Sequence, residues 1–110
     1  MTKLFKIKSE NIQPIITGFG GCIATDYITV EGRLVMYMYR EKPKNTDDSG
    51  WRFFAGLEDD EYMSNKFNHG VYDVNTIANY DPSIISYLTA KIGSQFERNE
   101  DDSSFNEITQ

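Results

Sequence analysis

One cysteine, one histidine and three prolines are all that 110 residues contain of these types. A lone thiol, Cys22, excludes an intrachain disulfide and fits a reducing compartment. Cys22 and His69 together fall short of the four ligands that a structural zinc requires. No stretch approaches the roughly 20 apolar residues needed to cross a bilayer. The opening MTKLFKIKSENIQPII also lacks the uninterrupted apolar run of a secretory signal. The expectation is a cytoplasmic protein with no membrane contact. Basic residues are scarce as well: 11 Lys and Arg stand against 17 Asp and Glu, a net charge of −6. That sign argues against direct binding to nucleic acid, where cations must neutralise phosphates. It suits solubility and association with a basic partner.

What is present is a globular composition, 39% hydrophobic and 14% aromatic. A chain of this length buries roughly two thirds of the surface its unfolded form exposes, enough for one core. No linker or internal repeat divides it, so residues 1–110 are expected to form a single domain. The acidic stretch 99–110 is expected to be loosely held.

Along the chain, SENIQPII starts as a capped helical turn with Ser9 as the cap, interrupted at Pro14. TGFGG (17–21) is a flexible joint, and CIAT (22–25) leaves it as a short buried strand. DYITVEG (26–32) reads as a hairpin or one helical turn. RLVMYMYRE (33–41) is the clearest strand. Leu34, Met36 and Met38 lie on one face and Val35, Tyr37 and Tyr39 on the other, and two apolar faces predict a central position. PKNTDDSG (43–50) is turn chemistry, and WRFFAG (51–56) is a second strand, so 33–56 is a long-looped hairpin. In it Trp51 and Phe53 share one face, Arg52 and Phe54 the other.

EDDEYMSN (58–65) has acids in its first turn, where the helix dipole favours them, and reads as a short helix. VYDVN (71–75) is a short strand or extended turn. Two helical segments meet at Asp81-Pro82, with Ile84, Ile85 and Leu88 facing inward on the second. SQFERN (94–99) is a strand near an edge. Strands interspersed with short helices and no βαβ rhythm predict α+β architecture with a mainly antiparallel sheet.

Charge and large apolar side chains concentrate in DDSGWRFFAGLEDDEY (47–62). Its start mimics a calcium loop, with oxygen-bearing Asn45, Asp47 and Ser49 at spacing two and Gly50 next. The twelfth position must be an acid, however, and it is Gly56. Glu58, Asp59, Asp60 and Glu61 offer pairs for acid/base work, yet consecutive acids at a helix start are ordinarily a solvated turn. Cys22, in an apolar strand, reads as an inert small hydrophobe, and His69 as a turn residue. GFGG (18–21) precedes a strand, whereas a nucleotide-binding glycine loop follows one. Arg40 and Arg52 are expected to pair with acids such as Asp48 or Glu58 and fix the hairpin. Trp51 is expected to plug the core. No metal and no cofactor is predicted.

The runs GCIATDYI, VMYMYREKP, DSGWRFFAGLEDDEYM, VYDVNTIANYDP and GSQFER, in this order over about residues 20–98, resemble family thirty-three of the predicted immunity proteins of bacterial polymorphic toxin systems. That family was formerly a domain of unknown function. The pattern falls on Asp26, Arg40, Asp48, Ser49, Gly50, Trp51, Phe53, Gly56, Glu58, Asp59, Tyr62, Asn75, Thr76 and Asn79. The resemblance implies a cytosolic protein that neutralises a cognate toxin, and it carries no catalytic residues. The expected contacts are Asp47, Asp48, Glu58, Asp59, Asp60, Glu61 and Tyr62, supported by Arg40, Gly50, Trp51, Arg52 and Gly56. A nuclease or another effector with a basic cleft fits such an acidic face. Two rivals are a small hydrolase or protein-modifying enzyme using these acids with Arg40 or Arg52, and a regulatory interaction domain. Carboxylates converging inside a pocket would favour the enzyme.

Overall fold

Six short strands pair into one sheet in the computed structural model, which describes residues 3–101 and 103–108. They are β1 (Gly21–Thr25), β2 (Tyr37–Arg40), β3 (Asp48–Phe54), β4 (His69–Asp73), β5 (Gln95–Arg98) and β6 (Phe105–Glu107). Their spatial order is β4-β1-β3-β2-β5-β6. The β1–β3 pair is parallel and every other neighbouring pair is antiparallel. Three helices, α1 (Asp26–Thr29), α2 (Asp60–Ser64) and α3 (Val74–Tyr80), and three 3-10 turns complete an α+β domain of mostly antiparallel sheet.

The core lies on one face of the sheet. Cys22 and Ala24 of β1, Met38 of β2, Trp51 and Phe53 of β3 and Phe96 of β5 meet Val74, Ile77 and Ala78 of α3. Ile84 and Leu88, at and just beyond the 3-10 turn Pro82–Tyr87, close the layer. Trp51 and Phe53 are fully buried and stack with ring centroids 6.1 Å apart. Each ring removes on the order of 150–250 Å² from water, which stabilises the fold by about 4–6 kcal/mol before entropy is counted. The indole N–H of Trp51 donates to the Leu88 carbonyl at 3.2 Å, so its burial leaves no orphaned donor.

Local chemistry explains most boundaries. The side chains of Asp59, Asp73 and Asp81 each accept a backbone N–H at the start of the helical segment that follows them. Pro82 occupies the first position of its 3-10 turn, where no N–H is needed. Asp81 is buried and does more than cap. Its Oδ2 accepts the Val35 N–H at 3.0 Å and a short charge-assisted bond from Arg98.

Four expectations change. The strand expected from residue 33 begins at Tyr37, because the Val35 N–H and C=O are taken by the side chains of Asp81 and Arg98. The alternation breaks there, so Val35 is buried while Leu34 is half exposed. Second, the turn read over 43–50 ends early, since Asp48, Ser49 and Gly50 already belong to β3. Gly50 has φ +89°, and a Cβ on it would lie 2.1 Å from the Glu41 carbonyl oxygen, so only glycine fits. Third, Ser9 lies inside a 3-10 turn instead of capping a helix. Finally, within the tail expected to be loose, Phe105 is buried and β6 pairs with β5.

Candidate partner-binding surface

Strand β3 divides the acidic segment in two. Asp47 and Asp48 stand at its start, whereas Glu58 to Tyr62 follow its far end. Seven residues of strand span about 20 Å at roughly 3.3 Å per residue, so the two groups do not form one continuous patch. Nor do they converge on a shared pocket.

At the near end Asp48 is a structural acid. Its two oxygens receive Nη1 and Nη2 of Arg52 at 3.0 and 2.8 Å, and the Lys44 and Gly50 N–H groups at 2.9 Å each. The Arg52 side chain is 3% exposed, and its Nε donates to Glu41 at 2.6 Å. The Arg52 hydrogen bonds hold the Asp48 carboxyl well below the usual carboxylate range, and the same contact raises the guanidinium. Arg40 departs from the expected ion pair. It donates to the backbone carbonyls of Ser49 and Ala90 at 2.9 and 2.8 Å and lies over the Trp51 ring. Asp47, by contrast, is exposed. Cys22 borders the same end, and burial pushes its thiol up, with Asp73 and Asp48 adding to the effect.

At the far end the acids have different jobs. Glu58 turns back and accepts the N–H groups of Ala55 and Gly56 at 2.7 and 2.9 Å and the hydroxyl of Thr25. Asp59 caps α2 by accepting the Tyr62 N–H at 2.7 Å. Asp59, Asp60 and Glu61 are exposed, so they point charge outward from a short, capped turn. Tyr62 stacks on Tyr27 at 4.5 Å between centroids. Burial, with the nearby Asp26 and Glu58 charges, pushes its phenol up to about 12.

The face of the sheet opposite the core carries features that the sequence reading missed. Tyr37, Tyr39 and Phe54 form a triangle with centroids 5.7–5.9 Å apart, and none belongs to the core cluster. Cross-strand register places Phe54, Tyr37 and Glu97 in one row and Ile23, Arg52, Tyr39 and Gln95 in the next. A groove of about 580 Å³ opens beside this triangle. Met36, Tyr37, Phe54, Leu57 and Met63 line it together with Glu58, Glu97 and Glu100. Apolar alternation on both sides of residues 33–41 pointed to two covered faces. The clue against that was composition, because tyrosine, with its polar tip, suits a half-open surface better than a sealed one.

Among the described residues no group of three or more His, Cys, Asp or Glu side chains is placed to hold a metal ion. No described helix is long and apolar enough to cross a membrane. No curated protein and no solved structure matches the chain. Residues 22–109, most of its length, match the family described as Immunity protein Imm33 domain, and the chain belongs to that family.

Proposed function

We propose that this protein neutralises a cognate toxin by binding it through an acidic surface, without chemistry of its own. The observation that carries this reading is the turn at Asp59, Asp60 and Glu61: three exposed carboxylates on a backbone fixed at its base by Glu58. Fixed charges of one sign accelerate encounter with a basic surface by roughly 10–1,000-fold at low salt. Asp47, Asp59, Asp60, Glu61 and Tyr62 are the proposed contacts, while Asp48 and Glu58 hold the strand ends that present them. The partner is a toxin with a basic cleft, as a nuclease has. A catalytic reading would need acids gathered in one pocket, and here they part to opposite ends of β3.

The test uses the toxin domain encoded beside this protein's gene. Co-expression should protect cells, and a D59N/D60N/E61Q variant should associate at least ten-fold more slowly at low salt, with a shallower salt dependence. Full protection and unchanged association kinetics by that variant would refute the acidic surface.

A further inference from the structure

The groove beside the aromatic triangle is lined by apolar side chains and by carboxylates. We propose that it receives a lysine or arginine of the toxin, with the aliphatic stem over the apolar floor and the charged head at Glu97 and Glu100. This deepens the toxin-binding reading and rests on it.

Four observations support the assignment. The floor is exposed apolar surface at the end of β3, with Leu57 52% exposed and Met36 and Met63 beside it. Tyr37 and Phe54 form a wall whose position is set by strand register, and the Tyr37 hydroxyl donates to Gln95 Oε1 at 3.1 Å, which fixes the ring. Glu97 stands directly across from Tyr37 on β5, and Glu97 and Glu100 are exposed. The cation that lines the groove, Arg98, is already engaged by Asp81, Ser83 and the carbonyls of Val35 and Ser103. Glu58 is likewise occupied by Thr25, Ala55 and Gly56. The charge left to a visitor is therefore that of Glu97 and Glu100. A groove lined by apolar side chains together with uncommitted carboxylates matches a side chain that buries methylenes and keeps its head polar. An apolar visitor would leave those acids without a partner, and an acidic one would be repelled. Met63, which lines the groove, belongs to the same short helix as Asp60 and Glu61.

The experiment measures dissociation of the same purified toxin domain from the wild-type protein, from L57K and from E97K/E100K. All three substituted positions are exposed, and thermal melts check that the variants fold. Both variants should dissociate at least ten-fold faster, whereas D59N/D60N/E61Q should chiefly slow association. A toxin variant with one surface lysine or arginine changed to glutamate should regain binding with E97K/E100K. Dissociation of both variants at the wild-type rate would overturn the groove and leave the α2 surface standing. If the wild-type protein does not bind the toxin domain, both readings fail. Sedimentation showing a dimer that L57K disperses would assign the groove to a second copy of this chain and overturn the proposal.

Discussion

The carboxylate of Glu58 takes the hydroxyl of Thr25, so one residue of the acidic run ties the end of β3 to the end of β1. The same carboxylate satisfies the N–H groups of Ala55 and Gly56. Hydrogen bonds to a charged acceptor contribute about 1.5–3 kcal/mol each, reduced where water can replace the lost partner. Glu58→Ala should therefore destabilise the protein by about 2 kcal/mol in urea unfolding. Asp60→Asn, at an exposed position two residues on, should stay within about 0.5 kcal/mol of wild type.

Acid should weaken the fold through Asp48. Its carboxyl is depressed in the folded state, whereas the unfolded chain protonates near the ordinary value of about 3.9. Below that value the unfolded state binds the extra proton. The contribution is thus present above about pH 4 and is lost as pH falls towards the folded value. Urea midpoints measured from pH 7 to pH 2 should drop most steeply below pH 4. Asp48→Asn should be less stable at pH 7 and show a flatter acid limb.

A different response is expected at the buried pair of Asp81 and Arg98, whose side chains are 4% and 5% exposed. Removing either partner strands a charge in the interior and should cost about 3–5 kcal/mol. The two losses should not add, because once Asp81 is gone Arg98 has already lost its main partner. A double-mutant cycle by chemical unfolding measures the coupling, which should exceed about 1 kcal/mol.

Alkali tests Tyr62. With its phenol pushed up to about 12, it holds its proton more firmly in the folded than in the unfolded state, where tyrosine titrates near 10. Stability should fall as pH rises from about 10 to 12. Ultraviolet titration should reveal a late-ionising phenol that Tyr62→Phe removes.

Much of this arrangement was readable from local chemistry. The short helix after the acids, the Asp81-Pro82 junction and the opposed faces of Trp51/Phe53 and Arg52/Phe54 follow from rules acting within a few residues. What the sequence hid depends on distant partners. Val35 leaves its expected face because residues 46 and 63 positions later claim its backbone. Arg40 reaches Ala90, fifty residues on, and takes carbonyls where an acid was expected. Phe105 lies in the stretch expected to be loosely held, and it is the edge of β5 that gives it a partner. Among the acids, sequence alone could not separate those folded inward, Asp48 and Glu58, from those left to solvent, since all belong to one charged run.

The parallel pairing of β1 with β3 also bears on how the chain is made. Strand β1 is synthesised before both of its partners, which lie at residues 48–54 and 69–73. At about 5–20 residues per second, translation leaves Gly21–Thr25 without a seat for several seconds. Once clear of the ribosome and until both partners follow, Gly21–Thr25 has backbone groups with no native partner, open to pairing with another strand. Slowing the ribosome when Gly21–Thr25 has left the exit tunnel but His69–Asp73 has not should therefore lower the soluble yield, while the same delay after His69–Asp73 has emerged should not.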